Sequence, residues 1–208
     1  MVVNEIFYSL QGEGPFVGMP AIFIRLSGCQ EPYCPWCDTK YAWEEGIEIQ
    51  HNEIVEKIKK FPCNRIVITG GEPFLQWKYG LKRLHQRLQM LGYELHYETS
   101  GKVEIPKIKN TFIVCSPKYI NGSWHFDFKN IKRANVFKFV AAKKMFDPIT
   151  KFVIENKIEK DHVYVMPLGA TRKEQFKNMK PVFEFCKTHG YKMTPRLQTL
   201  IFDGKRGV

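Results

Sequence analysis

The chain has 208 residues, 44% of them apolar, which is enough to bury the core of one domain spanning residues 1–208. Its apolar runs are far shorter than the roughly 20 residues of a membrane span, and its first residues lack the basic start and apolar stretch of a signal peptide, so we expect a cytoplasmic protein with no membrane contact. The net charge of +11 is scattered, without a recognisable nucleic-acid-binding module. This favours a solvated basic surface over a nucleic-acid groove, and attraction to an acidic protein is a third interpretation.

Six strands are predicted, each running into polar or glycine-containing residues. They cover residues 20–28, 64–71, 92–101, 111–118, 135–142 and 162–169. Helical spacing of apolar residues occurs in three patterns: Ile54, Val55 and Ile58; Leu81, Leu84, Leu88 and Leu91; and Val182, Phe183 and Cys186, where Pro181 starts or kinks the helix. Segments 103–110 and 119–134 are too short or too poor in helix signals for full crossover helices. The sequence therefore predicts an α/β fold, an incomplete, open (β/α) barrel of about six parallel strands with fewer helices.

Polar motifs follow the carboxyl ends of five of these strands, where parallel α/β folds gather their chemistry. They read SGC, TGGEP, ETSG, SPK and MPLG. We expect them to converge on one cleft.

Three cysteines follow the first predicted strand in the spacing C-x4-C-x2-C: Cys29, Cys34 and Cys37. Three thiolates on one loop suit an iron–sulfur cluster whose fourth iron stays open to a cofactor or substrate. The alternative is a zinc site with a distant fourth ligand, such as His51 or Cys63. A packing role is predicted for the isolated cysteines, which are Cys63, Cys115 and Cys186.

The cysteine loop, Trp36 just before Cys37, and Gly-Gly-Glu-Pro one strand later together resemble the radical S-adenosylmethionine superfamily. The resemblance implies that the open iron chelates S-adenosylmethionine, which an electron from the cluster cleaves to a 5′-deoxyadenosyl radical. Considered as residues, the glycines permit close backbone approach to the methionine amine, and Glu72 is placed to brace the turn. An ordinary strand-to-helix turn is the alternative for Gly70 and Gly71.

A narrower resemblance covers nearly the whole chain. In order, the segments EIFYSLQGEGPFVGMPAIFIRLSGC, WCDTKYAW, VITGGEP, YETSG, SPK and TPRLQTLIFDGKRGV are similar to the 7-carboxy-7-deazaguanine synthase family, and LQGEG at residues 10–14 is the most specific of them. The resemblance implies a lyase that converts 6-carboxy-5,6,7,8-tetrahydropterin to 7-carboxy-7-deazaguanine with loss of ammonia, toward the deazapurine bases of tRNA. It implies a homodimer that uses a 4Fe–4S cluster, Mg²⁺ and S-adenosylmethionine. The S-adenosylmethionine is regenerated and not consumed.

One feature departs from the family: its commonest cysteine spacing is C-x3-C-x2-C, and this chain has one residue more, with Pro32 and Tyr33 inside the enlarged loop. The electron donor is not specified by the sequence. An acidic donor such as a flavodoxin or ferredoxin would give the positive surface a role in docking.

The resemblance also implies a binding site for S-adenosylmethionine. Its predicted residues are Trp36, Cys37, Asp38, Gly71, Ser100, Ser116, Pro117 and Lys118. Hydroxyls and a lysine suit a ribose and a carboxylate. For Ser116 and Lys118, plain turn and surface roles are the alternative.

The substrate carries a carboxylate and a flat, hydrogen-bonding pterin. Arg25 lies within an apolar strand, where a charge is costly unless paired, and its planar fork can hold a carboxylate through two hydrogen bonds. An outward-facing arginine is the alternative, and the resemblance favours the carboxylate ligand. The predicted readers of the pterin edge are Leu10, Gln11, Gly12, Glu13 and Thr69, with Arg196 and Gln198 as weaker candidates.

Thr39 follows the last cluster cysteine by two residues, and the resemblance implies that its hydroxyl binds Mg²⁺. Magnesium often takes only one or two protein ligands besides waters and substrate oxygens. A local turn cap is the alternative for this threonine, and Asp38 is a candidate to orient the waters of the ion.

Two other classes of protein remain open. A radical activase that makes glycyl radicals in a partner enzyme would share the cluster and GGEP, but would not need LQGEG or a pterin-sized pocket. A basic, zinc-stabilised RNA-binding protein would explain the charge and the cysteines, but leaves GGEP, ETSG and SPK without a purpose.

Overall fold

Eleven strands and five α-helices make up the computed structural model, which describes all 208 residues. The strands are β1 (Val2–Leu10), β2 (Pro20–Leu26), β3 (Ile47–Glu48), β4 (Arg65–Gly70), β5 (Glu94–Thr99), β6 (Thr111–Cys115), β7 (Lys118–Ile120), β8 (Ser123–His125), β9 (Val136–Ala141), β10 (Val163–Pro167) and β11 (Lys192–Met193). The helices are α1 (His51–Ile58), α2 (Lys82–Met90), α3 (Phe146–Glu155), α4 (Arg172–His189) and α5 (Leu197–Phe202).

Nine of the strands form one sheet, in the order β11-β10-β9-β6-β5-β4-β2-β1-β3. All neighbouring pairs from β2 to β11 are parallel. At the other edge, β1 runs antiparallel to both β2 and β3. The predicted open α/β architecture is confirmed: the six predicted strands correspond to β2, β4, β5, β6, β9 and β10, and β11 adds a short seventh parallel strand.

Two connections agree with the prediction and others differ. As expected, no helix occurs between β5 and β6, and the region before β9 holds only β7, β8 and a short 3-10 helix. The antiparallel strands β1 and β3 and the helices α3 and α5 were not predicted. The expectation that Pro181 starts the third helix is wrong, because α4 begins at Arg172 with a reciprocal capping box between Thr171 and Glu174, and Pro181 lies inside it.

Alternation along the strands gives the sheet two different faces. Side chains that point toward the helices are apolar and fully buried, as Ile22 and Ile24 are on β2 and Ile66 and Ile68 are on β4. They belong to a core cluster of 33 buried residues that packs the helices on the sheet. Each such side chain stabilises the fold by about 1.5–3 kcal/mol relative to exposure.

The opposite face lines a cleft. Its side chains come from the alternate positions of the same strands: Phe23 and Arg25 on β2, Val67 and Thr69 on β4, Glu98 on β5, and Lys138 and Val140 on β9. On β2 and β4 the polar residue, Arg25 or Thr69, lies nearer the carboxyl end than the apolar one. None of the helices has the combination of length and apolar composition that crossing a membrane would require.

Candidate active site

A cleft of about 240 Å³ gathers almost every predicted site residue. The predicted residues that line it are Leu10, Gln11, Gly12, Glu13, Arg25, Cys29, Cys34, Trp36, Cys37, Asp38, Thr39, Thr69, Gly71, Ser100, Ser116, Lys118, Arg196 and Gln198. Pro117 is the exception, because it is buried and does not line the cleft. The expected convergence of the strand-end motifs is therefore confirmed for SGC, TGGEP, ETSG, SPK and MPLG.

One side of the cleft, which we call the cysteine wall, consists of residues 28–39 and 70–73. Cys29, Cys34 and Cys37 are half-buried free thiols on this wall, and the Cys37 amide donates to the Cys34 carbonyl at 3.1 Å. Burial raises the pKa of the Cys29 thiol, and the charge of Lys102 opposes that rise. The side chains of these three cysteines do not converge closely enough to hold a single metal ion.

The distant ligands considered for a zinc site lie elsewhere. The Cys63 thiol donates to the Pro20 carbonyl at 3.4 Å, beside the amino end of β2, and His51 begins α1. Neither residue lines the cleft. Cys115 and Cys186 are buried in the core, as predicted. The donor set in the cleft is thus three thiols on one loop, which fits a cluster bound through three of its irons better than a four-ligand zinc site.

Close backbone packing explains the two glycines of GGEP. The Gly71 amide donates to the Leu26 carbonyl at 3.1 Å, and the Glu72 amide donates to the Gly28 carbonyl at 2.7 Å. A β-carbon on Gly71 would collide with Gly28, and Gly70 has a φ of +143°, which only glycine adopts readily. The turn therefore presses directly against the start of the cysteine loop.

Glu72 braces this turn, as the sequence suggested. Its fully buried carboxylate accepts hydrogen bonds from the Thr99 hydroxyl at 2.7 Å, the Ser100 amide at 2.9 Å, the Ser100 hydroxyl at 2.5 Å and the Phe74 amide at 3.3 Å. Burial raises the pKa of Glu72, and these hydrogen bonds oppose the rise. The carboxylate thereby ties the end of β4 to the end of β5.

Thr39 and the SPK motif also border the cysteine wall. The Thr39 hydroxyl makes no capping hydrogen bond to the short 3-10 helix Lys40–Trp43 that follows it, and it lies 3.6 Å from the Cys37 sulfur. The turn-cap alternative is therefore not realised. Lys118 donates from Nζ to the Ser116 hydroxyl at 2.7 Å, so these two side chains form a pair inside the cleft instead of separate turn and surface residues.

Arg25 points into the cleft from β2, opposite Glu5 on β1. Its Nε lies 2.6 Å from a Glu5 oxygen, which meets the requirement that a charge in an apolar strand be paired. Tyr41 donates to the same carboxylate at 3.3 Å, and the Arg206 guanidinium stacks 3.3 Å from the centre of the Tyr41 ring. The outward-facing alternative for Arg25 is wrong.

The other side of the cleft, which we call the ionic wall, consists of Gln11, Glu13, Glu98, Lys138, Arg196 and Gln198. Lys138 Nζ lies 2.7 Å from a Glu13 oxygen and 2.8 Å from a Glu98 oxygen. Arg196 Nε lies 3.0 Å from the other Glu13 oxygen. The amides of Gln198 and Gln11 donate to Glu13 at 2.9 Å and to Glu98 at 3.4 Å.

Arg196 links the two walls. It donates to the Gly169 carbonyl at 2.8 Å and forms an ion pair with Asp38 of the cysteine loop. Asp38 is thus engaged by an arginine in this structure. Within the ionic wall itself, the two carboxylates Glu13 and Glu98 are balanced by the two cations Lys138 and Arg196.

The two glutamates differ in acidity. Burial by itself would raise the pKa of Glu13, but Lys138 and Arg196 hold it well below its usual range. Burial raises the pKa of Glu98, with Lys138 opposing the rise and Glu13 adding to it. Burial would lower the pKa of Lys138, but the two carboxylates hold it above its usual range. Glu13 is therefore the firmly ionised member of the pair, and Glu98 takes up a proton more readily.

The LQGEG segment is held against the C-terminal region of the chain. The Gly14 amide donates to the Thr194 hydroxyl at 2.7 Å, and the Leu197 amide donates to the Gly12 carbonyl at 2.9 Å. Beyond it, the Phe16 ring packs 4.3 Å from His96, whose buried Nδ1 has no hydrogen-bond partner. Burial lowers the pKa of His96 to about 4. These contacts place Glu13 in the interior of the cleft.

Sequence reasoning missed several lining residues, above all Glu98, Lys102 and Lys138. Lys138 gives the same signal as Arg25, a charge inside an apolar strand, and its side chain is only 6% exposed. Glu98 lies within the ETSG motif region and occupies the cleft-facing position of β5. Neither the sequence motifs nor the spacing of charges indicates which of these residues pair.

Comparison with known proteins adds independent information. A family model described as the Radical SAM superfamily matches residues 24–123. The chain is 34% identical to the 7-carboxy-7-deazaguanine synthase of Pyrobaculum aerophilum, covering 99% of this chain and 96% of that protein, and 33% identical to that of Hyperthermus butylicus, covering 96% and 92%. The crystal structure of QueE from Escherichia coli superposes with a TM-score of 0.79 at 26% identity, covering 94% of this chain and 93% of that one.

Proposed function

The chain belongs to the 7-carboxy-7-deazaguanine synthase family of the radical S-adenosylmethionine superfamily, and from this premise we propose how its cleft carries out the reaction. It is a lyase that uses a 4Fe–4S cluster and S-adenosylmethionine. The reaction contracts the ring of 6-carboxy-5,6,7,8-tetrahydropterin to 7-carboxy-7-deazaguanine and releases ammonia. The observation that carries the assignment is the meeting of the cysteine wall and the ionic wall in one cleft.

The cysteine wall is the proposed cofactor side. Cys29, Cys34 and Cys37 would hold the cluster, and the half-buried Gly71 lines the cleft beside them, where the methionine end of the cofactor would bind. When bound, the cluster and S-adenosylmethionine supply the radical that removes hydrogen from the substrate.

The remaining cofactor contacts are assigned by chemistry. Trp36, Asp38, Gly71, Ser100, Ser116 and Lys118 line the cleft and offer hydroxyl, carboxylate, amide and ammonium groups, whereas Pro117 holds its neighbours in place from a buried position. The Lys118 ammonium, already at the Ser116 hydroxyl, is available for the cofactor carboxylate.

The ionic wall and Arg25 form the proposed substrate side. Arg25 keeps its Nη groups free of the Glu5 contact made by Nε, so its fork can accept the substrate carboxylate. Glu13, Gln11 and Thr69, with Glu98, read the pterin edge, and the Leu10–Gly12 segment encloses it. Carboxylate acceptors suit the N–H-rich edge of a pterin.

Lys138 and Arg196 hold these glutamates in place through ion pairs and are not assigned a contact with the substrate. By fixing Glu13 from two directions they keep it ionised and oriented before substrate arrives, so little reorganisation accompanies binding.

Thr39 is the proposed Mg²⁺ ligand. Its hydroxyl lines the cleft and makes no capping bond, so it would be able to hold a hard cation, which would supply positive charge for the substrate carboxylate. Asp38 forms an ion pair with Arg196 in this structure, so it would have to break or share that pair before it could orient waters bound to the ion.

The proposal includes three further features: the domain organisation, the reductant and the oligomeric state. The continuous nine-stranded sheet supports one radical SAM domain over residues 1–208. The reductant is proposed to be an acidic protein such as a flavodoxin or ferredoxin, because the chain carries a net charge of +11. A homodimer is proposed from the family alone, and light scattering of the purified protein tests it.

The test of the proposed function is anaerobic reconstitution with iron and sulfide, followed by ultraviolet–visible spectroscopy and turnover. We expect a brown protein whose absorbance bleaches on reduction and which forms 7-carboxy-7-deazaguanine only when S-adenosylmethionine is present. A colourless protein that binds zinc would overturn the assignment. A brown protein that cleaves the cofactor but leaves the pterin unchanged would return the assignment to a glycyl-radical activase.

A further inference from the structure

Lys102 holds the backbone of the enlarged loop between Cys29 and Cys34. From the segment after β5, its Nζ donates to the Gln30 carbonyl at 3.0 Å and to the Pro32 carbonyl at 2.5 Å. These two carbonyls bracket most of the four residues that separate the cysteines. A side chain some 70 positions along the chain therefore sets the path of this loop.

The same loop is held from its other end by an aromatic contact. Tyr33, directly before Cys34, stacks on Trp43 with ring centres 4.3 Å apart and planes 11° from parallel. The loop is thus pinned by its carbonyls on one side and by a ring on the other. This double attachment matches a loop that is one residue longer than the family's commonest spacing.

The charge of Lys102 has no acidic partner. None of the ion pairs in the structure includes it, although the side chain is half-buried and lines the cleft alongside Cys29. Holding a lysine in one conformation costs rotamer entropy. Carbonyl dipoles compensate part of the desolvation, but a full positive charge remains beside the thiols.

We propose that Lys102 is a positioning residue for the iron–sulfur cluster: it fixes the spacing of Cys29 and Cys34 through the loop carbonyls, and its uncompensated charge makes the cluster easier to reduce. The proposal rests on the proposed function, since it requires the cluster. A 4Fe–4S core with three thiolates carries one negative charge when oxidised and two after accepting one electron from the reductant. A nearby cation stabilises the reduced form more than the oxidised form.

The experiment compares Lys102→Met, Lys102→Arg and Lys40→Met in reconstituted protein without substrate or S-adenosylmethionine. Lys40→Met is the matched control, because Lys40 is an exposed lysine just past the cysteine loop that makes no hydrogen bond to residues 30–32. The measurements are the midpoint potential from an electron paramagnetic resonance redox titration and the rate at which a chelator removes iron. Neither depends on turnover.

Lys102→Met is expected to shift the potential to a more negative value and to speed iron release several-fold. Lys102→Arg is expected to restore the potential, because it keeps the charge, and Lys40→Met is expected to resemble wild type. A Lys102→Met protein with the potential and release rate of wild type overturns the proposal, as does an equal shift in Lys40→Met. If wild-type protein itself holds no cluster, the proposed function fails and this inference fails with it, whereas a wild-type cluster that is unaffected by Lys102→Met overturns this inference alone. If Lys102→Met does not fold, Lys102→Gln takes its place and is judged by the same two measurements.

Discussion

The two walls of the cleft are built in opposite ways. The cysteine wall comes from two continuous stretches joined by a backbone hydrogen bond from the Glu72 amide to the Gly28 carbonyl. The ionic wall is made of single side chains from four separate segments, joined by ion pairs through Lys138 and Arg196. One wall is fixed by the path of the backbone, and the other by charge.

This difference predicts how a substitution in each wall affects ligand binding and the stability of the fold. A backbone-built wall keeps its shape when one side chain changes, so its substitutions should remove a ligand without disturbing the fold. A charge-built wall depends on balance, because a buried ion that loses its partner is destabilising. Substitutions on the ionic wall should therefore affect stability and substrate binding together.

The largest expected effect is on the cysteine wall. Cys34→Ala leaves only two thiolates for the cluster, so we expect near-complete loss of bound iron and of turnover, with the thermal unfolding midpoint of the metal-free chain unchanged. Cys63→Ala is the matched control, since Cys63 lies outside the cleft. Iron analysis after reconstitution measures both variants. Equal iron loss in the two would contradict the assignment of ligands.

The cysteine wall could be predicted from the sequence because its functional groups are close together along the chain. Cys29 to Thr39 and the GGEP turn each carry several functional groups within a few residues, and the six central strands are marked by apolar runs. The ionic wall has no such local pattern. Lys138 meets Glu13 across 125 positions and Arg196 meets Glu13 across 183, so the pairing exists only once the sheet has brought those segments together.

The missed elements have other causes. Strand β1 precedes LQGEG and pairs antiparallel at the edge of the sheet, outside the βα pattern used to predict strands. Helix α3 carries Ile149, Phe152 and Val153 on its buried face, and this helical spacing of apolar residues is visible in the sequence. Helix α4 starts earlier than Pro181 indicates, because Thr171 and Glu174, ten and seven residues before it, form the capping box, and the helix accommodates the proline in its interior.

The next effect tests the charge balance of the ionic wall. Lys138→Met leaves Glu13 and Glu98 facing each other without their shared cation, and losing one partner of a buried ion pair costs about 3–5 kcal/mol. For a chain of this size, that corresponds to a fall of about 10 °C in the unfolding midpoint. Anaerobic thermal denaturation measures it.

A second substitution separates charge from packing. Lys138→Met with Glu98→Gln removes one positive and one negative charge, so we expect recovery of at least half of the lost stability while binding of 6-carboxypterin, a fluorescent oxidised analogue, stays weak. If the double variant is as unstable as the single one, charge balance is not what holds this wall.

Arg25→Gln should separate substrate binding from cofactor cleavage. Loss of a charge-assisted carboxylate contact is worth about 1.5–3 kcal/mol, which corresponds to a rise of about 10- to 150-fold in the Michaelis constant for the pterin. Uncoupled cleavage of S-adenosylmethionine should continue, because the cysteine wall is intact. Arg65→Gln is the matched control: Arg65 is paired with Glu94 and does not line the cleft. Normal values of both activities in Arg25→Gln would place the carboxylate clamp elsewhere.

His96 tests whether burial alone, without an ion pair, also shapes stability near the ionic wall. Its pKa falls from 6.5 to about 4 in the folded chain, so between these values the unfolded chain binds a proton that the folded chain does not. Stability should therefore decrease as the pH falls from 6.5 to 4, by about 2 kcal/mol for this residue after allowing for partial solvation.

The comparison is wild type against His96→Phe, which keeps the aromatic contact with Phe16. Denaturant titrations at several pH values give the free energy of unfolding of each. The difference between the two proteins should change by about 2 kcal/mol across this window and level off below pH 4. A constant difference from pH 7 to pH 4 would mean that His96 titrates normally in the folded chain.

Thr39 lies where the two walls meet, and its substitution should have the smallest effect. In Thr39→Ala the cluster ligands and the backbone path of the cysteine wall remain, so iron content and cofactor binding should match wild type. If the hydroxyl binds Mg²⁺ against the substrate carboxylate, the variant should lose most of the stimulation by Mg²⁺, a change of only a few-fold because waters can replace one neutral ligand. Thr39→Ser, which keeps the hydroxyl, should retain the stimulation. Because the Thr39 hydroxyl makes no capping bond, a loss of stability in Thr39→Ala is not expected, and a variant stimulated by Mg²⁺ as strongly as wild type would remove this residue from the metal site.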